Sequence, residues 1–164
     1  MAGNLEPGKN LPWALDLLRE RAELAAVSTF YRTAAIERPE QPDYLNGVAM
    51  VRFDGDARTL KFGVLRTIED TLGRVRTADR YAARTIDLDL LLFGGEVVDG
   101  DGLVLPDPDL WHRPFLAAAV LELSPDLVVP GTRKPLRELA DMEAVARLEP
   151  AREFTRAMLE RLGL

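Results

Sequence analysis

Cysteine is absent from this chain of 164 residues, and histidine occurs once, at His112. The first absence excludes disulfides and thiolate metal centres, and the second excludes a zinc site built from imidazoles. Any metal bound here is expected to be hard and held by oxygen. Long hydrophobic runs are also lacking: nowhere do about eighteen apolar residues stand together, and no basic stretch followed by an apolar one opens the sequence. The expectation is a cytoplasmic protein with no membrane partner. Positive charge is in deficit, with 21 Lys and Arg against 27 Asp and Glu, a net charge of −6 and a pI near 4.9. A protein that tracks nucleic-acid phosphates needs the opposite balance, so no nucleic-acid partner is expected. The phosphate loop Gly-x-x-x-x-Gly-Lys-Ser/Thr is missing too, since Gly8-Lys9 has neither the spacing nor a preceding strand.

What is present is the composition of a folded globular chain, 47% hydrophobic and 29% charged. The length fits a single domain over residues 1–164. Leu11, Ala14, Leu15, Leu18 and Ala22 recur at helical spacing after Asn10, which predicts a helix over 10–24 capped by that asparagine. Residues 27–33 and 44–53 are rich in β-branched and aromatic types and predict strands, joined by a proline-bearing loop at 37–43. A second helix is expected over 59–72, stopped by Gly73. Residues 84–93 give the clearest strand, with Ile86, Leu88, Leu90 and Leu92 on one face and Thr85, Asp87 and Asp89 on the other. Helices over 114–123 and 151–162 follow. This order favours an α+β fold, a mostly antiparallel sheet with helices packed on it, over a doubly wound parallel sheet. It would be ferredoxin-like if a strand preceded the first helix, where about five residues are available, so that first strand should be short or missing.

Chemistry is concentrated in the middle of the chain. Asp87 and Asp89, two apart on a strand, place both carboxylates on one face, about 6.6 Å apart by Cα. Mg²⁺ keeps several waters and needs only one or two carboxylates plus substrate phosphates, so such a pair suffices for it. A solvated acidic strand face is the competing explanation of the same two residues. Upstream, Arg74, Arg76, Arg80 and Arg84 cluster with Asp79 as the only acid between them. Guanidinium forks match phosphate oxygens and stay charged. A solvent-exposed basic loop would look alike in isolation, but metal-type carboxylates beside it favour a polyphosphate site.

Four segments carry a resemblance: Phe30-Tyr31-Arg32-Thr33, Gln41-Pro42-Asp43-Tyr44-Leu45-Asn46, Gly73-Arg74-Val75-Arg76, and the run from Arg84-Thr85-Ile86-Asp87-Leu88-Asp89 to Gly94. In order and spacing they resemble hydroxymethyldihydropterin pyrophosphokinase, over about residues 2–140. The resemblance implies transfer of pyrophosphate from Mg-ATP to the hydroxymethyl group of a reduced pterin, with release of AMP, in folate synthesis. It implies that Asp87 and Asp89 bind two Mg²⁺ ions and that Arg74 and Arg84 contact the phosphates. It further implies that Glu69, Arg76 and Arg113 lie on the ATP side. Tyr44 and Phe115 would sandwich the pterin, and Asn46 and Thr33 would hydrogen-bond its ring. Without the resemblance, Phe115 at the start of an apolar helix would read as core.

Three departures qualify the resemblance. The strand that usually precedes the Gly-Ser-Asn-Leu turn of the family has little room before Ala2-Gly3-Asn4-Leu5. Tyr81-Ala82-Ala83 replaces a common Trp-Gly-Pro, and Asp107 replaces a histidine that contacts the nucleotide. His112 does not align with that histidine and reads as structural or solvated. A catalytically degenerate relative that binds pterin, nucleotide or a partner is therefore the alternative. A metal-dependent nuclease using the two aspartates is disfavoured by the acidic charge.

Overall fold

The structure is a computed structural model that describes residues 1–35, 38–76, 79 and 82–164. The expected Arg80 and Tyr81, and the start of the expected 37–43 loop, lie outside the described residues. Strand β1 (Ala2–Gly3) leads into helix α1 (Pro7–Arg19), followed by β2 (Glu23–Val27), β3 (Tyr31–Thr33), β4 (Tyr44–Asn46) and β5 (Ala49–Arg52). A π-helical segment, Thr59–Leu65, then runs directly into α2 (Arg66–Thr71). Beyond it come the hairpin β6 (Val98–Gly100) and β7 (Leu103–Leu105), α3 (Asp109–His112) and α4 (Pro114–Leu123). The chain ends with β8 (Val128–Val129), β9 (Lys134–Pro135), α5 (Leu136–Leu139), α6 (Met142–Ala146) and α7 (Arg152–Leu162). Every strand pairing is antiparallel. The chain is thus an α+β protein of helices and antiparallel sheet, as expected, and its first strand is short.

Helix α1 begins earlier and ends earlier than its periodicity predicts. Pro7 occupies the first turn, where a missing N–H costs nothing, so the helix starts there. Asn10 is therefore no cap; it is buried inside the helix and donates from Nδ2 to the Leu5 carbonyl at 2.8 Å. The helix stops at Arg19 because the residues from Glu23 pair with β5, where Glu23 also meets Arg52 as an ion pair. The apolar stripe itself is as expected: Leu11, Ala14, Leu15 and Leu18 all face the core. A fully buried leucine such as Leu11 contributes about 1.5–3 kcal/mol relative to exposure.

The two expected strands 27–33 and 44–53 are each broken in two. β2 pairs with β5, while β3 pairs with β4 in the sheet order β1-β4-β3. The interruption is satisfied: the Ser28 N–H donates to the Val48 carbonyl, and the Val48 N–H donates to Ser28 Oγ, both at 2.9 Å. At the break the Phe30 ring lies over Gly47, where a Cβ would come within 2.8 Å of it, so only glycine fits beneath the ring.

Residues 84–93 are extended but are not the ladder strand that their alternation predicts. Their alternation is real, with Ile86, Leu88 and Leu90 buried beneath Asp87 and Asp89. Among the described residues the segment's one bridge is at Asp87, which exchanges backbone bonds with Ala2 at 2.7 and 2.9 Å, while the Arg84 and Leu91 carbonyls accept from Asn4, Leu5 and Asp107 in loops. Residues 48–54, which include β5, and 88–94 both line a cavity of about 560 Å³ rather than pairing with each other. The terminal elements 114–123 and 151–162 match α4 and α7 to within one residue, and Gly163 stops α7 in the left-handed region at φ 71°.

Candidate active site

The site lies at the edge of the three-stranded sheet, where four parts of the chain converge. β3 and β4 are in register with Thr33 opposite Tyr44 and Tyr31 opposite Asn46. Because Thr33 and Asn46 are two-residue neighbours across this ladder, Asn46 Nδ2 donates to Thr33 Oγ1 at 2.9 Å and to the Tyr31 carbonyl at 3.4 Å. β1 sits beside β4 and joins it to Asp87. Helix α4, opened by Pro114 at its first turn, brings Phe115 to the same place.

Together these enclose a cavity of about 240 Å³ lined by Thr33, Tyr44, Asn46, Arg84, Asp87, Asp89, Arg113 and Phe115, with Met1, Ala2, Ala34, Ala35, Leu91, Asp109 and Leu116 completing it. Eight of the expected site residues therefore share one wall-to-wall space. Phe115, which hydropathy alone assigns to the core, faces this cavity instead. The expectations missed Asp109, which meets Arg113 Nε at 3.5 Å. No spacing rule marks it out, since it acts from a four-residue helix that lacks periodicity.

Arg74, Glu69 and Arg76 stand behind the cavity rather than in its lining. Arg74 Nη1 donates to Asp87 Oδ1 at 2.6 Å and to the Ile86 carbonyl at 2.6 Å, and lies 3.3 Å from Glu69 Oε1. Arg84 Nη1 holds the other Asp87 oxygen at 2.5 Å. Glu69 is buried and accepts the Leu88 N–H, and it is ion-paired with Arg76, which also reaches Asp70 at 2.6 Å. The result is a line of alternating charge running from Asp70 through Arg76, Glu69 and Arg74 to Asp87 and Arg84.

Electrostatics differ between the two aspartates. Asp89 keeps solvent contact through the mouth of the cavity, yet protein surrounds its other sides. That burial, reinforced by the neighbouring Asp87 charge, pushes its carboxyl up to about 6 against the opposing pull of the Met1 ammonium. Burial raises Glu69 as well, opposed by the Leu88 N–H and by Arg74. Arg84 is raised although its burial works the other way, because the charge and hydrogen bond of Asp87 outweigh it.

Two carboxylates crowded at one wall make a donor set that suits a hard divalent cation, which would relieve their mutual repulsion. Among the described residues no group of three or more acids or histidines is gathered for a metal, so the remaining ligands would have to come from water and substrate. Asp107 is absent from the lining. Its carboxylate accepts the Asp109 N–H at 2.9 Å, opening α3, and burial raises it against that bond. His112 is exposed beside Trp111. Among the described residues no helix is long and apolar enough to cross a membrane.

A sequence model of the family described as 7,8-dihydro-6-hydroxymethylpterin-pyrophosphokinase (HPPK) matches residues 1–125. The chain is 36% identical over 110 residues to the 2-amino-4-hydroxy-6-hydroxymethyldihydropteridine pyrophosphokinase of Haemophilus influenzae, covering 67% of this chain and 68% of that protein. It is 34% identical over 159 residues to the protein of the same name from Synechocystis, covering 90% and 80%. It is also 35% identical over 133 residues to the folic acid synthesis protein fol1 of Schizosaccharomyces pombe, covering 78% of this chain and 18% of that protein. The cavity, its arginines and its paired aspartates are thus those of a chain that belongs to the HPPK family.

Proposed function

We propose that this protein transfers the terminal pyrophosphoryl group of ATP to the hydroxymethyl oxygen of 6-hydroxymethyl-7,8-dihydropterin and releases AMP, as a step of folate synthesis. The single observation that carries the reading is the convergence of two kinds of lining on one cavity. Thr33, Tyr44, Asn46 and Phe115 suit a flat polar heterocycle, and Arg84, Asp87 and Asp89 suit a metal-bound polyphosphate. The names borne by the relatives support the same enzyme reading, and no observation favours the degenerate alternative. We read residues 1–164 as one domain of ferredoxin-like order, with β1 as its first strand.

Each residue then has a task in its own chemistry. Tyr44 and Phe115 offer apolar faces to the pterin, and Thr33 and Asn46 offer fixed hydrogen-bonding groups to its edge. The hydroxymethyl oxygen attacks the β-phosphorus and gives up its proton to solvent, the bond from that phosphorus to the α,β-bridging oxygen breaks, and AMP departs with the electron pair. Arg84, with Arg74 behind Asp87, stabilises the charge that gathers on the bridging oxygen. Arg113, Arg76 and Glu69 complete the nucleotide side: Arg76 holds Glu69, Glu69 holds Arg74, and Arg74 holds Asp87. Asp87 and Asp89 are the residues that would hold Mg²⁺, in our reading two ions. Bound there, the metal supplies charge neutralisation and orientation of the phosphates.

Steady-state rates of AMP formation test this division. Tyr44→Ala and Phe115→Ala should each raise KM for the pterin at least about tenfold while leaving KM for ATP near wild type, in keeping with the loss of an aromatic contact. Equal rises in both constants would contradict the assignment of that wall to the pterin.

A further inference from the structure

Residues 126–164 lie past the stretch matched by the family model, yet part of them reaches back to the substrate-side hairpin. β4 covers one edge of β3, and the other edge is closed by residues 149–155. The Arg32 N–H donates to the Glu149 carbonyl at 3.2 Å, Tyr31 bridges to Pro150, and the Ala151 N–H donates to the Phe30 carbonyl at 2.8 Å. Thr155, buried in the first turns of α7, accepts the Phe30 N–H on its Oγ1 at 2.9 Å and donates to the Ala151 carbonyl at 3.0 Å. The Phe30 side chain is held just as firmly. It is fully buried, packed edge-on to Phe154 with ring centroids 5.0 Å apart, and seated over Gly47 at the break of the hairpin.

We infer that Thr155 is a positioning residue for the pterin: by fixing Phe30 where the hairpin has lost its ladder, α7 sets the placement of Thr33 and Asn46 across the cavity. The path is short. Only Tyr31 and Arg32 separate Phe30 from Thr33, and Thr33 Oγ1 accepts the Asn46 amide at 2.9 Å. The hydroxyl matters because the Phe30 N–H is buried, so removing its acceptor leaves a donor with no alternative except a shift of the backbone that carries it. A shift at Phe30 is passed along β3 to Thr33. The inference rests on the reading of that wall as the pterin side.

The test measures binding of hydroxymethyldihydropterin through its own fluorescence, together with amide exchange at Phe30 and Arg32, in the wild type, Thr155→Val and Thr155→Ser. Valine has the shape of threonine without an acceptor, and serine restores the acceptor. Thr155→Val should weaken pterin binding about fivefold, the effect of one hydrogen bond, with nucleotide affinity unchanged. It should also speed exchange at Phe30 and Arg32, while Thr155→Ser returns both readouts to wild type. Unchanged pterin affinity with faster exchange at Phe30 would overturn the inference, as would equal losses for pterin and nucleotide. Should the valine variant fail to fold, Phe154→Leu loosens the same residue from its ring side and is read the same way. Because binding needs no turnover, pterin binding without AMP formation would sink the proposed reaction and leave this inference standing.

Discussion

Glu69 Oε1 accepts the backbone N–H of Leu88 at 2.8 Å, a bond that a neighbouring strand would otherwise supply. The residue between the two aspartates is thus pinned by a side chain from α2, and the same carboxylate neutralises Arg74 and Arg76. Glu69→Ala orphans a buried donor and leaves Arg74 half paired. It should cost about 2–4 kcal/mol of stability. Glu69→Gln keeps an acceptor and should cost less. Denaturant unfolding measures both, and an alanine variant as stable as wild type would contradict this role.

The two aspartates should separate under substitution. Asp87 is held by Arg74 and Arg84, so Asp87→Asn removes activity and also about 1–3 kcal/mol of stability. Asp89 carries a raised carboxyl beside a like charge, so Asp89→Asn should leave stability unchanged or higher. Its rate of AMP formation should still fall by about 10²–10³ or more, the loss of an electrostatic stabiliser of the transition state. Melting temperatures and rates on the same preparations distinguish the pair. Full activity in either variant would end the metal assignment.

A proton and a cation should compete at Asp89. Its folded carboxyl lies at about 6, above the usual 3.8. In the metal-free protein its contribution to stability is therefore full below about pH 3.8 and is lost as pH rises through 6, where the charged form must be carried beside Asp87. A divalent ion needs the charged form, so Mn²⁺ used as a spin probe should bind about tenfold more weakly at pH 5 than at pH 7.5 and release protons on binding at the lower pH. Affinity independent of pH over that range would count against Asp89 as a ligand.

Much of this could be read from residue order, and the remainder depends on contacts distant in sequence. The Leu11–Leu18 stripe, the alternation of Ile86, Leu88 and Leu90, and the Gly73 stop at φ 73° are local patterns, so they survive folding unchanged. The break between β2 and β3 is not local, because it depends on Phe30 meeting Thr155 across the chain. The 84–93 segment shows strand alternation without a strand ladder, since alternation records burial and pairing requires a neighbour. Asp107, which looks like a nucleotide residue in the wrong form, is taken up by its own backbone two residues on.

Transfer of two phosphoryl groups together can be followed by phosphorus NMR of ATP, Mg²⁺ and hydroxymethyldihydropterin incubated with the protein. AMP and a pterin pyrophosphate ester should appear in equal amounts and only when all three are present. ADP as the nucleotide product, or no change in the ATP resonances, would contradict it.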